Sequence, residues 1–327
     1  MNEQIITDSS IKLDHISRIF GMVTKVPFFT EKKARINQIE HLPGGLTNSN
    51  YKVTIDGVTY AIRVAGDGTI EYLDRKAEKN NATLMSEMNI NAEIIYYDET
   101  TGNQICKYID DSKTLHIPDF KEAHNLKEAA KIFNRYHNSG KEFLALFDPI
   151  KVTDEYFDLL VKKNHKDFFE GFDKVKEKFE AIKAALDANP PKLAPCHNDP
   201  LPENYIVNDT GMYLIDWEYS GMNDPSFDLA ALIIENELDE ELEKIFLDEY
   251  FEGKMTFAQY SSVVINKFLC DALWSIWALL QIATGKPHED YWPYGLNRFN
   301  RCVKLMEEEN FDKYIEALHG EGYYQIS

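Results

Sequence analysis

The sequence predicts an α+β protein with two lobes: a small antiparallel sheet carrying one long helix, followed by a mainly helical lobe. Three observations support this prediction. β-rich runs separated by turn residues dominate the chain up to about residue 110. Helical periodicity dominates from about residue 123 onward. A short hairpin is expected between residues 204 and 216. We place the lobe boundary after residue 109, which gives a lobe of residues 1–109 and a lobe of residues 110–327.

A hairpin is the strongest local signal in the first lobe. The stretch from residue 36 to residue 64 is rich in β-formers, and Asp56-Gly57 separates two of its runs. Asp-Gly between β-rich runs favours a tight turn because both positions tolerate positive φ. The other elements predicted here are a short amphipathic helix over residues 10–20, a long helix over 71–88 and strands over 92–97 and 104–109.

The second lobe shows the period of an amphipathic helix. Apolar residues recur at steps of three and four from Phe172 to Leu186, which places them on one helix face. Pro190-Pro191 then ends this helix, because proline lacks the backbone N–H that the helix needs. Further helices are predicted over residues 226–251, 256–284 and 293–319, the last with Pro293 in its first turn.

Charge and composition limit the possible partners. The chain has 327 residues and a net charge of −20, which argues against nucleic acid or an anionic membrane as a partner. The four cysteines match no metal or redox spacing, so we expect thiols in a reducing compartment. No signal peptide is expected, and no apolar run approaches the length needed to span a bilayer. We therefore expect a soluble, cytoplasmic protein that acts on a small molecule.

Four polar residues occur at spacings that phosphoryl transfer requires. Asp199 is the expected base that accepts a hydroxyl proton, and Asn204 follows five residues later. Asp216 lies beyond a predicted hairpin, which would bring it to the same end as Asn204. Carboxylate and amide oxygens suit Mg²⁺, so we expect these two side chains to hold the metal. His197 is expected to orient the loop. The pattern predicts a kinase that uses ATP and Mg²⁺.

The nucleotide is expected to contact the first lobe. A Gly-Gly turn between two predicted strands lets the backbone approach phosphate oxygens, although such a turn is also a common hairpin connection. Arg63 at the end of a strand could reach the phosphates, with Glu78 on the next helix fixing its position. A solvated Arg and Glu are the alternative. The other expected nucleotide contacts are Gly44, Gly45, Thr47 and Asn48 in the turn, and the backbone of Tyr108 and Ile109 at the adenine edge.

These motifs together resemble the choline/ethanolamine kinase family, within the wider aminoglycoside-phosphotransferase and protein-kinase-like fold. The resemblance covers nearly the whole chain. It rests on His197-x-Asp199-x4-Asn204, Asp216-Trp-Glu-Tyr219, Gly44-Gly-Leu-Thr-Asn-Ser-Asn50, Ala61-Ile-Arg63-Val and Lys107-Tyr-Ile-Asp-Asp-Ser-Lys-Thr-Leu115. It implies a two-lobed kinase-like fold, with ATP as phosphate donor and an amino alcohol as acceptor.

The resemblance also implies an aromatic acceptor pocket. A quaternary ammonium has no N–H donors, so its recognition relies on ring faces and a nearby carboxylate. Trp residues at helical spacing are otherwise most often core packing. Asp228 is expected to brace the catalytic loop. The residues that match the pocket are Tyr219, Glu235, Trp274, Trp277, Tyr291 and Tyr294, followed by Arg298.

Choline kinase is therefore the leading prediction, with phosphocholine as product. Ethanolamine kinase is a close alternative, because a primary ammonium needs hydrogen-bond acceptors rather than a full aromatic cage. An aminoglycoside phosphotransferase would need a wide acidic cleft, which the Trp-x-x-Trp pair does not favour. A pseudokinase that senses quaternary ammonium compounds is disfavoured because Asp199, Asn204 and Asp216 are all present.

Overall fold

The computed structural model describes residues 6–7, 11–43, 48–66 and 73–318. The chain divides into two compact units. The first unit contains the chain up to His116 together with Phe143–Ala145 and Pro202–Ser220. The second unit contains Ile117–Glu142, Leu146–Leu201 and the chain from Gly221 onward. The lobe boundary after residue 109 stays a prediction.

A six-stranded sheet dominates the first unit. Its strand order is β1-β2-β3-β4-β6-β5, with β1 parallel to β2 and the other pairs antiparallel. Asp56 and Gly57 form the β3–β4 turn with φ values of 49° and 79°, so the predicted Asp-Gly hairpin is confirmed. The strands are β1 Ile6–Thr7, β2 Ile36–Leu42, β3 Ser49–Ile55, β4 Val58–Val64, β5 Ile94–Tyr97 and β6 Gln104–Lys107.

Helices accompany this sheet. The predicted long helix is present as α3, Arg75–Glu87, and it follows α1 Leu13–Val23 and α2 Pro27–Glu31. Helix α3 starts at Arg75 because the carboxylate of Asp74 accepts hydrogen bonds from the backbone N–H groups of the first turn. The buried face of α1 joins the apolar side of the sheet in one core cluster.

A small second sheet completes the first unit. Strands β9 Tyr205–Asn208 and β10 Gly211–Leu214 form the predicted antiparallel hairpin, and β7 Lys113–Thr114 pairs with β9. The hairpin closes where the backbone N–H of Ile215 donates to the carbonyl of Asn204 at 2.9 Å. This hydrogen bond joins the expected metal-ligand Asn204 to the residue that precedes Asp216.

The second unit is mainly helical. Its strands β8 Ala194–Cys196 and β11 Gly221–Asn223 pair antiparallel. The predicted α+β class, with a small antiparallel sheet and a mostly helical remainder, is thus confirmed. The helices of this unit are α4 Ala123–His137, α5 Pro149–Lys162, α6 Phe172–Ala188, α7 Pro225–Glu235, α8 Glu240–Tyr250, α9 Phe257–Ala283, α10 His288–Met306 and α11 Phe311–Ala317.

Two predicted helices have other bounds. The expected helix over residues 226–251 is interrupted, because Asp239 caps a new helix, α8, with its side chain. The expected position of Pro293 in a first helical turn was wrong. Helix α10 begins at His288, so Pro293 lies within it, and the backbone hydrogen bond that this position would donate is absent.

Helix α9 corrects a further expectation. It spans 27 residues with a mean hydropathy of 1.6 in its most apolar window, so by length and composition it could cross a bilayer. No apolar run of that length was expected from the sequence. However, 94% of this window is buried within the fold, and α9 packs against α5, α7 and α10. Its apolar composition is therefore accounted for by its position as a core helix.

Candidate active site

A buried ion-pair network in the first unit contains the predicted arginine. Arg63, near the end of β4, forms a salt bridge with Glu78 on α3, and its Nη1 lies 3.1 Å from Oδ1 of Asp216. The side chains of Arg63 and Glu78 are only 4% and 2% exposed. The structure thus brings together the expected phosphate-side cation, its acidic partner and one of the two expected metal ligands.

A second arginine belongs to the same network. Arg75 Nη1 donates to Glu78 at 2.6 Å and to Glu218 at 3.2 Å. Glu218 also accepts a hydrogen bond of 2.9 Å from the side chain of Asn48. Arg75 and Glu218 were not among the site residues predicted from the sequence. The available signal was the i,i+3 spacing of Arg75 and Glu78, which places both on one helix face.

Gly102 lies against both arginines. Its carbonyl accepts from Nε and Nη2 of Arg63 at 3.3 Å and 3.0 Å. Its φ is +77°, in the left-handed region that favours glycine. A Cβ atom at this position would lie 2.5 Å from Nε of Arg75. This turn between β5 and β6 therefore needs glycine both for its backbone and for the close approach of Arg75.

The network has an excess negative charge that a bound cation would balance. Two arginines face the three carboxylates of Glu78, Asp216 and Glu218, which is one negative charge in excess. Burial and the charge of Glu218 raise the pKa of Asp216 to about 7, although Arg63 opposes this shift. A raised pKa means that the two arginines do not supply enough positive charge to keep the Asp216 carboxylate ionised. The donor set therefore fits a divalent metal held by oxygen ligands.

Asp216 has a backbone conformation typical of a constrained position. Its φ is +65°, which is uncommon for a residue other than glycine. The hydrogen bond from Ile215 to Asn204 holds the two expected ligands at the same end of the β9–β10 hairpin. The roles of Asn204 and Asp216 as metal ligands stay predictions.

Asp228 braces the loop that contains His197 and Asn198 in the second unit. Its carboxylate accepts hydrogen bonds from the backbone N–H of His197 at 2.8 Å and of Asn198 at 2.7 Å. It also bonds to Tyr136 Oη at 2.6 Å and to His137 Nε2 at 3.1 Å. The expectation that Asp228 supports this loop is confirmed by these contacts.

The neighbourhood of Asp228 could be mistaken for a metal site. Ligand atoms of His137, Cys196 and Asp228 all lie within 4.8 Å of one another. However, the two oxygens of Asp228 already take part in four hydrogen bonds. Burial raises the pKa of the Cys196 thiol, which disfavours the thiolate that a metal would need. We therefore assign this group to support of the loop.

His197 and Asp199 follow directly after β8. The backbone N–H of Asp199 donates to Nδ1 of His197 at 3.3 Å, so the buried imidazole holds the loop from within. Asn198 between them has a φ of +69°, and its side-chain carbonyl accepts a hydrogen bond from Asn223. Asp199 is half-buried. These contacts agree with an orienting function for His197, which stays a prediction.

Four predicted pocket residues form one aromatic cluster in the second unit. Trp274 and Trp277 lie on α9, with ring centroids 6.0 Å apart. The ring of Trp277 also contacts Tyr291 and Tyr294 of α10, at 5.7 Å and 5.8 Å. The structure thus brings these four rings together.

Two arginines and two carboxylates border this cluster. The guanidinium of Arg298 lies 3.5 Å from the centroid of the Tyr294 ring and forms a salt bridge with Glu235. Arg301, one helical turn later, bridges Glu235 at 3.0 Å and also pairs with Asp271. Glu235 and Arg298 were predicted from the sequence as pocket residues, whereas Arg301 and Asp271 were not. The i,i+3 spacing of the two arginines was the available signal.

The remaining predicted site residues that the structure describes lie outside the ion-pair network, the loop after β8 and the aromatic cluster. Tyr219 is half-buried in a turn of the first unit, where Ser220 N donates to the carbonyl of Trp217. Tyr108 follows β6, and its backbone N–H points to the carbonyl of Thr59 at 3.4 Å. Ile109 follows it and is half-buried. Three of the predicted phosphate-loop residues lie outside the described residues: Gly44, Gly45 and Thr47.

Comparison with known protein families matches residues 39–303 to the choline/ethanolamine kinase family. The chain belongs to this family. The resemblance inferred from the motifs is therefore confirmed, and the chain is a phosphotransferase that acts on an alcohol.

Individual relatives agree with this family assignment. Protein LicA of Haemophilus influenzae is 30% identical over 277 residues, which cover 81% of this chain and 79% of LicA. A choline/ethanolamine kinase family protein from Mesorhizobium loti has a similar structure, with a TM-score of 0.80, 30% identity and coverage of 93% and 99% of the two chains. The choline kinase LicA from Streptococcus pneumoniae gives a TM-score of 0.75 at 29% identity, covering 89% and 99%.

Proposed function

We propose that this family member is a choline kinase, which transfers the γ-phosphate of ATP to the hydroxyl of choline and releases phosphocholine and ADP. The observation that carries this proposal is the cluster of four rings, Trp274, Trp277, Tyr291 and Tyr294. A quaternary ammonium offers no N–H donors, so ring faces are the surfaces that can bind it. We further propose that Tyr219 contributes to the same recognition.

Asp199 is the proposed general base. It would accept the proton of the choline hydroxyl as the oxygen attacks the γ-phosphate, and such help is typically worth about 10²–10⁴-fold in rate. His197 would orient the loop through its contact with the Asp199 backbone. Asp228 supports the loop through the backbone N–H groups of His197 and Asn198.

Arg63 is the proposed phosphate-side cation, and Glu78 fixes its orientation. Asn204 and Asp216 would hold Mg²⁺, which supplies positive charge that neutralises phosphate oxygens when it is bound. The excess negative charge of the buried network supports this proposal. We assign the remaining nucleotide contacts to Gly44, Gly45, Thr47 and Asn48 for the phosphates, and to the backbone of Tyr108 and Ile109 for adenine.

Ethanolamine is the acceptor to be weighed against choline. A primary ammonium brings three N–H donors and so requires acceptors around it. Glu235 would be the obvious acceptor, yet it is already paired with Arg298 and Arg301. The same pairing disfavours an aminoglycoside, a polycation that needs several unpaired carboxylates. These observations favour choline.

We also propose a cytoplasmic location. All four cysteines are buried and free of disulfide bonds, which suits a reducing compartment. The net charge of −20 does not favour nucleic acid or an anionic membrane as a partner.

Product analysis of wild type and Asp199→Asn tests the proposal. Wild type incubated with ATP, Mg²⁺ and choline should form phosphocholine, identified by phosphorus NMR and mass spectrometry. Asp199→Asn keeps the size of the side chain but removes its basicity, so its turnover should fall by about 10²–10⁴-fold while ATP still binds. A variant with wild-type turnover would place the base elsewhere. Absence of phosphocholine with wild type would reject choline as the acceptor.

A further inference from the structure

Both carboxylate oxygens of Glu235 are paired with the protein's own cations. Its Oε2 accepts from Arg298, and its Oε1 accepts from Arg301 Nη2 at 3.0 Å, so each oxygen faces a different guanidinium. Arg301 Nε also contacts both oxygens of Asp271 at 3.0 Å. Two arginines thus neutralise two carboxylates, and the cluster carries no net charge to offer a ligand.

These charges are largely removed from water. The side chains of Arg298, Glu235 and Asp271 are 9%, 10% and 2% exposed, and that of Arg301 is 28% exposed. Charges paired in such surroundings interact strongly and exchange partners at a cost, because solvent does not screen them. A substrate cation would therefore have to displace a bound guanidinium to reach Glu235.

The Arg298 guanidinium also covers one face of a cage ring. It lies 3.5 Å from the centroid of Tyr294, a cation–π distance, while Glu235 holds it from the other direction. Tyr294 in turn contacts the ring of Trp277. Glu235 thus holds Arg298 in place, and Arg298 in turn fixes the orientation of the Tyr294 ring within the cluster.

Two N–H groups beside these rings lack acceptors. Among the residues that the structure describes, neither Trp277 Nε1 nor Arg298 Nε makes a hydrogen bond, and both atoms are buried. The site therefore already contains two buried donors without a partner. A primary ammonium would add three donors, whereas a quaternary ammonium adds none.

We propose that Glu235 is a positioning residue: it holds Arg298 on the face of Tyr294 and does not serve as the counter-ion of the substrate cation. Selection of the acceptor then depends on the ring faces that this pairing sets in place. This inference rests on the proposed function, since it concerns the same acceptor site.

Binding of tetramethylammonium tests this inference without phosphoryl transfer. The probe carries the quaternary ammonium but no hydroxyl, and its binding to the full chain can be followed by tryptophan fluorescence. Glu235→Gln and Arg298→Met should each weaken binding about tenfold, since each frees the Tyr294 ring from its support. The double variant, Glu235→Gln with Arg298→Met, should bind the probe as tightly as whichever single variant has the lower affinity. Both changes remove the same chain of contacts, so their effects should not add.

A direct counter-ion would give a different pattern. Arg298→Met leaves Glu235 with one arginine fewer, so a cation in contact with Glu235 would bind as tightly as in wild type or more tightly. That result, combined with weakened binding in Glu235→Gln, would overturn the inference. Wild-type affinity in Glu235→Gln would overturn it as well, because Glu235 would then have no function in the pocket.

Kinetics with choline provide a second readout. The KM for choline should rise about tenfold in the same variants, with kcat changed less than about threefold, because the reacting groups are untouched. A loss confined to kcat would contradict a positioning function in acceptor binding. Glu243→Gln is a matched control, because Glu243 forms a partly buried ion pair with Lys267 on α9 outside the cluster. Its affinity and KM should equal those of wild type.

These measurements also distinguish failure of the proposed choline kinase function from failure of the inference about Glu235. Wild type that binds tetramethylammonium but does not phosphorylate choline would reject the proposed function and leave this inference standing. Wild type that phosphorylates choline, with the affinity for the probe and the KM for choline unchanged in Glu235→Gln, would reject this inference alone. If Glu235→Gln does not fold, Tyr294→Leu provides the second cycle: Arg298→Met should weaken binding no further in that background. A further loss there would show that Arg298 does not act through Tyr294.

Discussion

Nη1 of Arg63 lies 3.1 Å from Oδ1 of Asp216, so one buried guanidinium joins the expected phosphate-side cation to an expected metal ligand. The same guanidinium pairs with Glu78 and donates to the carbonyl of Gly102. The position of the Asp216 carboxylate is therefore coupled to the strand that carries Arg63.

Arg63→Lys tests this coupling. A single ammonium cannot reach Glu78, Asp216 and the Gly102 carbonyl with the fork geometry of a guanidinium. We expect kcat/KM for ATP to fall by about 10²-fold, as small misplacements of reacting groups commonly cause. Steady-state kinetics at several Mg²⁺ concentrations measure this loss. Arg35→Lys is the control, because Arg35 is exposed. Its kcat/KM for ATP should equal that of wild type. Activity of Arg63→Lys within twofold of wild type would contradict the coupling.

Arg75→Met tests whether the second arginine supports the network. The change leaves Glu78 and Glu218 buried with less compensating charge, and breaking a buried pair in this way typically costs about 3–5 kcal/mol. We expect the free energy of unfolding, measured in urea, to fall by about 3 kcal/mol. Lys79→Met is the control: Lys79 pairs with Glu99, but both side chains are more than 40% exposed. The control should lower the free energy of unfolding by less than about 0.5 kcal/mol. A loss as small as this in Arg75→Met would show that Arg75 is dispensable.

Gly102→Ala and Gly140→Ala form a matched pair. Both glycines have positive φ, +77° and +67°, so alanine introduces similar backbone strain of about 1–2 kcal/mol at each. Only at Gly102 would the new Cβ meet Arg75, at 2.5 Å, whereas no atom lies within 4 Å at Gly140. Gly102→Ala should therefore lower the free energy of unfolding by about 1–3 kcal/mol more than Gly140→Ala. Equal losses would mean that Arg75 moves away without cost.

The sequence alone predicted the parts of the site that depend on local spacing. Asn204 and Asp216 are joined by a hairpin whose turn residues are visible in the sequence, and their expected proximity follows from that hairpin. Arg63 and Glu78 were paired correctly because the strand and the helix that carry them are consecutive elements. The fold class was predictable for the same reason, since the β-rich and helical parts occupy separate stretches of chain.

Arg75, Arg301 and Asp271 were missed for a physical reason. Charged residues on helices are most often solvated, and the sequence does not show which of them tertiary packing removes from water. Glu235 was expected in the pocket of the substrate cation, but its two arginine partners become visible only when the end of α7 is placed beside α10. The break between α7 and α8 was missed because it depends on the capping side chain of Asp239, and apolar residues continue through it.

The acceptor preference of wild type tests the central claim most directly. The measurement is kcat/KM for choline, ethanolamine and kanamycin, with ADP release coupled to an optical signal at saturating ATP and Mg²⁺. Because ring faces and a neutralised Glu235 favour a quaternary ammonium, kcat/KM for choline should exceed that for ethanolamine by at least about tenfold, with no measurable turnover of kanamycin. Equal or higher kcat/KM for ethanolamine, or turnover of kanamycin at the rate of choline, would contradict the assignment as a choline kinase.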